Sequence, residues 1–188
     1  MSLKILTAVY NDQLLEEYTN NPFISALPRI MEPKQVIENL KRLPAFNSEE
    51  QHLPAEIKVH AIARLLDGFF QPLVSHIQLE TKISLMIRQG YKGRNPKKGD
   101  YYSRLQNCYE KIVKGEMDAW VFDDMESTAN NMTLLGCSGS GKTTALNKIL
   151  HTYPQAIFHQ ELNITQLTYI KFHCPHDGAL SDLCHSFF

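Results

Sequence analysis

The sequence predicts an α/β fold: a helical N-terminal region over residues 1–120, followed from residue 121 to 188 by an incomplete parallel sheet of the P-loop nucleotide-binding kind. Three observations carry this. Apolar residues recur at helical spacing through the first hundred positions. The character of the chain changes near residue 120, where Trp120-Val121-Phe122 precedes the acidic Asp123, Asp124 and Glu126. Beyond that point short apolar runs alternate with helical spacing around Gly136-Cys137-Ser138-Gly139-Ser140-Gly141-Lys142-Thr143-Thr144, which is the pattern of a parallel α/β sheet.

The nine-residue stretch matches G-x-x-x-x-G-K-[ST], the phosphate-binding loop or Walker A motif. Glycines at 136, 139 and 141 let the backbone fold around an anion with its N–H groups turned inward. Lys142 supplies a point charge for the β and γ phosphates, and the Thr143 hydroxyl suits the coordination shell of Mg²⁺. The positive end of the following helix dipole faces the same phosphates. The motif should leave a buried strand and open a helix. Asn131-Met132-Thr133-Leu134-Leu135 reads as the strand, and Ala145, Leu146, Ile149 and Leu150 have helical spacing. A Gly/Ser linker matching by chance would lack this frame.

Composition sets the bounds. The chain has 188 residues, 43% hydrophobic and 21% charged, with a net charge of −1, an ordinary globular balance with no overall nucleic-acid signature. No apolar run approaches the roughly 18 residues of a membrane span, and Asn11 and Asp12 interrupt any signal-peptide core. The four cysteines, Cys108, Cys137, Cys174 and Cys184, are few, and one lies in the nucleotide loop. They read as free thiols in a reducing cytoplasm.

Along the chain, Ile5, Val9, Leu14, Leu15 and Tyr18 suggest a first helix, stopped by Asn20-Asn21-Pro22. Residues 21–28 read as an extended apolar connector between prolines. A short helix is expected from Glu32-Pro33 to before Pro44. Pro54 opens another, with an apolar stripe through Ile57, Ala61, Ile62, Leu65, Leu66, Phe69 and Phe70. A helix from Pro72 to about Gln89 should close at Gly90, and one through Leu105, Cys108, Tyr109 and Ile112 should close near Gly115. All these stripes read as core packing between helices. Ala156–His159 and Gln166–Phe172 are strand candidates, and Asp177 is a plausible cap for a final helix. Asp123 and Asp124 read as a solvated turn. His173, Cys174, His176, Cys184 and His185 fit no standard zinc spacing and read as a strand-to-helix turn with partly buried thiols.

A hydrolysing P-loop enzyme also needs an acidic residue at the end of a later strand. Only 44 residues follow Thr144, and none forms an apolar strand ending in paired carboxylates. A sheet of about three strands leaves edges open, so the chain reads as the N-terminal piece of a longer protein. A small kinase would need an acceptor lid that these residues do not supply.

The loop with its continuation, Leu135 through Leu146, resembles the TnsC/TniB-type AAA+ ATPases of bacterial transposons. So do Tyr153-Pro154-Gln155-Ala156-Ile157, Gln166 through Lys171 and Cys174-Pro175-His176-Asp177-Gly178. Upstream, Tyr18-x-x-Asn21-Pro22-Phe23-Ile24-x-Ala26-Leu27-Pro28 and Arg88 through Pro96 look like that family too. The resemblance implies an ATP- and Mg²⁺-binding regulator of transposition that assembles as a homo-oligomer on double-stranded DNA, selects a target and recruits or activates a transposase. The chain departs from the family by ending before the Walker B carboxylates, sensors and arginine finger. Hydrolysis is therefore not expected of this chain, and the alternative is a catalytically inactive nucleotide-binding or protein-interaction remnant. The stretch from Arg88 to Arg104, with Lys92, Arg94, Lys97 and Lys98 among interleaved tyrosines, is either a DNA phosphate contact or a solvated linker.

Overall fold

A computed structural model of the chain describes residues 5–44, 47–115, 130–172, 174 and 180–187. The expected features at Trp120–Phe122, Asp123, Asp124, Glu126, His173, His176 and Asp177 lie outside them. The elements in chain order are β1 (Ile5–Thr7), α1 (Glu16–Thr19), α2 (Pro22–Ser25), α3 (Pro33–Leu40), a 3₁₀ turn (Ser48–His52), α4 (Ala55–Gly68), α5 (Val74–Lys92), α6 (Asp100–Val113), α7 (Lys142–Leu150), β2 (Ala156–His159), β3 (Ile164–Leu167) and α8 (Leu180–Phe187). Among the described residues no helix is long and apolar enough to cross a membrane.

The sheet has the order β1-β2-β3. β1 runs parallel to β2, with Ile5 opposite Ala156, and β2 runs antiparallel to β3, with Ala156 opposite Leu167. The expected all-parallel sheet is therefore mixed: β2 and β3 are joined by a short turn, in which Asn163 sits at φ 50°, and a connection that short can only return the chain antiparallel. The first predicted helix is split: Ile5–Thr7 form β1 and only Glu16–Thr19 are helical, as α1, and Ala8 extends the β1 ladder by donating to the Phe158 carbonyl at 2.8 Å. What keeps the residues between β1 and α1 from coiling is local. Asp12 Oδ1 accepts the Leu14 N–H at 2.9 Å and the Thr19 hydroxyl at 3.0 Å, an arrangement that competes with helical hydrogen bonds. Leu14 takes φ 63° there.

Residues 22–25 are helical rather than extended. Pro22 occupies the first helical position and the Asn21 side chain accepts the Phe23 N–H, so the proline that stops α1 starts α2. This turn is buried, with Ile24 and Leu27 fully inside. α3 starts where expected, with Pro33 at its first position and Gln35 Oε1 accepting the Glu32 N–H. α5 runs through Gly90 to Lys92, and Gly115 (φ 74°) follows α6.

The main core joins α3, α5 and α7. Val36, Leu40, Leu79, Ile83, Ala145 and Ile149 meet there with Phe70 and Tyr153. A smaller cluster under the sheet holds Ala26, Leu27 and Ile157. Among the described side chains, only Phe70 at the end of the α4 stripe joins a cluster, and the α6 stripe joins neither, contrary to expectation. Ile57 and Ile62 on α4, and Tyr102, Leu105, Tyr109 and Ile112 on α6, are exposed. Periodicity shows that a helix has an apolar face, not that a partner covers it.

One buried polar stripe crosses the core. Glu80, Ser84 and Arg88 stand one turn apart on α5 and are all buried. The Tyr153 hydroxyl, just beyond α7, donates to Glu80 Oε1 at 2.7 Å. Burial, with the Glu80 carboxylate adding to it, pushes the Tyr153 phenol up from 10.0 to about 12. A phenol raised in the folded state contributes stability that is complete below its unfolded pKa and is lost as pH rises through the folded one. Chemical denaturation of wild type and Tyr153→Phe should therefore differ by about 1–3 kcal/mol at neutral pH, the cost of leaving Glu80 unpaired, and the gap should narrow between about pH 10 and 12. A gap that is constant across that range would remove Tyr153 from the pH-dependent stability.

Candidate functional site

The segment before the loop is not the strand its sequence suggests. Asn131 to Leu135 make no ladder, and Leu135 is 85% exposed. The reason is non-local: β2 has two edges, and β1 and β3 occupy them, so no place remains beside the central strand.

The loop itself has the predicted form. Gly139 and Gly141 both sit at φ 77°, a left-handed conformation that other L-residues adopt only at a cost. At Gly136 the constraint is space rather than dihedral: a Cβ there would crowd Ser140 Oγ at 3.2 Å and Lys142 Cδ at 3.4 Å, so these side chains would have to give way by a few tenths of an ångström. Lys142 folds back over the loop, its Nζ donating to the carbonyls of Gly136 at 2.8 Å and Cys137 at 2.6 Å, with Ser140 Oγ at 3.3 Å. The ammonium is thus held at the mouth of the loop.

Lys142 is also the first residue of α7. Its N-cap is the left-handed Gly141, and no side chain caps the helix. The first-turn amides, including those of Thr143 and Thr144, therefore meet no capping oxygen from the loop, which is how a helix presents its positive end to an anion. Ser138, Thr143 and Thr144 are exposed, so both threonine hydroxyls are accessible. The body of α7 is anchored instead by Ala145 and Ile149, which are almost wholly buried. Two left-handed glycines, a space that a Cβ at 136 would fill, and an uncapped helix end fit a polyphosphate with Mg²⁺. Thr143 is the residue that would offer a hydroxyl to the metal.

The basic stretch divides. Arg88, counted within it, is 1% exposed. Its Nη1 donates to Ser84 Oγ and its Nη2 to the Pro28 carbonyl, both at 2.6 Å, so it holds the core and is unavailable to DNA. Lys92, Arg94, Lys97 and Lys98 are exposed. Lys92 pairs with Glu17 at 3.2 Å, and Lys97 lines a cavity of about 270 Å³ with Asp12 and Glu161.

The two upstream segments that shaped the resemblance meet in space. Asn21 Nδ2 donates to the Tyr91 carbonyl at 2.8 Å, Asn95 Nδ2 to the Asn20 carbonyl at 3.3 Å, and the Phe23 and Tyr91 rings lie 5.7 Å apart. The Tyr91 hydroxyl also reaches the Leu167 carbonyl at the end of β3. Sequence reading did not single out Glu80 or Ser84, and it gave Tyr153 no role of its own. The i, i+4 spacing of Glu80, Ser84 and Arg88 on α5 was the available signal.

Cys174 and Cys184 are exposed rather than partly buried, as is Cys137. Among the described residues no group of His, Cys, Asp and Glu is placed to hold a metal ion.

Residues 123–188 match the family model of an AAA domain. No curated protein matches the chain. With the loop geometry, the match supports an AAA+ P-loop ATPase-type region over residues 123–188 and points to nucleotide binding there. Lys142→Ala should weaken ATP binding at least tenfold in isothermal titration, with the thermal midpoint of the nucleotide-free protein little changed. Equal ATP affinity in the two proteins would contradict the assigned site.

Proposed function

We propose that this chain binds ATP with Mg²⁺ on Gly136 to Thr144 and, in that state, engages double-stranded DNA as a TnsC/TniB-type regulator of transposition. The observation that carries the reading is the phosphate loop opening α7, with Lys142 held over it. ATP bound there supplies three linked phosphates whose charge the loop must offset. The backbone N–H groups of the loop and first helical turn cradle the chain of phosphates. Lys142 exchanges its carbonyl partners for β and γ oxygens, and Thr143 offers its hydroxyl to Mg²⁺.

The DNA part draws support from two sources. One is the resemblance of the Tyr18–Pro28 and Arg88–Pro96 segments, which pack on each other. The other is the exposure of Arg94, Lys97 and Lys98 just beyond α5. Exposed cations on a turn suit phosphate contacts, which give affinity without sequence information. Target selection, self-assembly and recruitment of a transposase follow from the same resemblance as parts of this proposal.

A second reading, a nucleotide-binding or protein-interaction module with no DNA role, rests on the exposed apolar stripe Tyr102, Leu105, Tyr109 and Ile112 of α6. Fluorescence anisotropy with a labelled duplex separates the two. Changing Lys92, Arg94, Lys97 and Lys98 together to alanine should weaken binding by tenfold or more and flatten its salt dependence. Unchanged affinity and slope would favour the protein-interaction reading.

A further inference from the structure

At the opposite end of α7 from the phosphate loop lies a second basic site. A cleft of about 350 Å³ opens between the C-terminal ends of α3 and α7, lined by Asn39, Leu40, Arg42, Lys148, His151 and their neighbours Asn147 and Thr152. Three of these carry or can carry positive charge, and none is a carboxylate. Among the described residues neither Arg42 nor Lys148 pairs with an acid. Lys171 adds a fourth cation at the rim, its Nζ donating to Asn147 Oδ1 at 2.7 Å.

The cations are held in place. Arg42 and Phe70 exchange two backbone hydrogen bonds of 2.9 Å each. The Lys148 ammonium sits 5.2 Å from the centre of the same Phe70 ring, a cation–π contact. One core aromatic thus fixes both. Two helix C-termini face the cleft and would by themselves repel an anion. Three carbonyls at these ends are engaged: Arg42 Nη1 donates to Asn39 O and Lys41 O at 2.8 Å, and His151 Nδ1 to Asn147 O at 2.6 Å. Among the described residues nothing bonds the guanidinium's Nη2 and Nε or the imidazole's Nε2, which leaves them for a ligand.

We infer that this cleft takes a phosphodiester group of duplex DNA. The chemistry is that of a phosphoryl anion, planar donors beside a point charge with no acid to compete. The inference rests on the DNA reading above and deepens it: α7 then joins the nucleotide at its first residue to DNA at its last turn. The nine residues of one helix span the two functions.

The test uses the full chain, duplex DNA and two variants. Arg42→Gln with Lys148→Gln removes both charges. Asn39→Asp places an acid in the cleft while leaving Arg42 and Lys148 where they are, so it reports even if the double variant is unstable. Both should weaken duplex binding about tenfold in anisotropy. The double variant should flatten the log–log salt slope by about one to two, close to 0.9 for each phosphate that is no longer neutralised. ATP affinity should stay unchanged in both. Orthophosphate, followed by phosphorus-31 line broadening, distinguishes the sources of the anion. Broadening that the double variant abolishes while its DNA affinity is unaltered would mean a small-anion site and overturn the proposal. If wild type binds DNA, the Lys92/Arg94/Lys97/Lys98 variant loses it and the cleft variants do not, the cleft inference alone fails. If wild type binds no duplex, the DNA reading and the inference fall together.

Discussion

The packing of α7 against α5 is the interaction on which the rest of the molecule depends. Ala145 and Ile149 on α7 meet Leu79 and Ile83 on α5, and Tyr153 closes the contact from the far end by bonding Glu80. Burying residues of this size stabilises by about 1.5–3 kcal/mol each for the larger ones, and removing Ile149 alone would cost about 2–5 kcal/mol. The same helix begins at Lys142, so fixing its body fixes the direction of its N-terminal amides and the seat of the loop. Its far end presents Lys148 and His151 to the cleft beside α3. α5 in turn carries Arg88, whose guanidinium ties this layer to Pro28 and so to the turn under the sheet.

This arrangement joins the two halves that the sequence divides at residue 120. β1, from the first residues described, lies parallel to β2, which follows α7, and the main core takes side chains from both sides of that boundary. A nucleotide bound at the loop therefore acts on a helix whose neighbours belong to the N-terminal part. Coupling between sites needs such a contiguous body with two arrangements to choose between; the α5–α7 contact supplies the body.

The loop was legible in the sequence because its chemistry is local. Each glycine answers to a dihedral or a close approach that the nine residues define among themselves, as φ at Gly139 and Gly141 and the crowding at Gly136 show. The helices α3, α4, α5 and α6 were legible for a related reason, since proline positions and apolar spacing act within one element. The sheet was not. Ile5–Thr7 loosely satisfies a helical period, and only pairing with β2 decides it. Asn131–Leu135 has the composition of a central strand, yet β2 has no edge left for it. The stripes of α4 and α6 are amphipathic, as their spacing predicts, but among their described side chains only Phe70 is core. Arg88 has the sequence context of one more surface cation, and only its turn-by-turn alignment with Glu80 and Ser84 places it inside.

The central claim is that the loop and first turn of α7 receive a polyphosphate while the rest of α7 stays packed. Hydrogen–deuterium exchange of the chain with and without ATP and Mg²⁺ tests this directly. Protection is expected across residues 137–144, with little change over 145–150, whose amides are already slow in the packed helix. Protection confined to other segments, or none at saturating ATP, would contradict it.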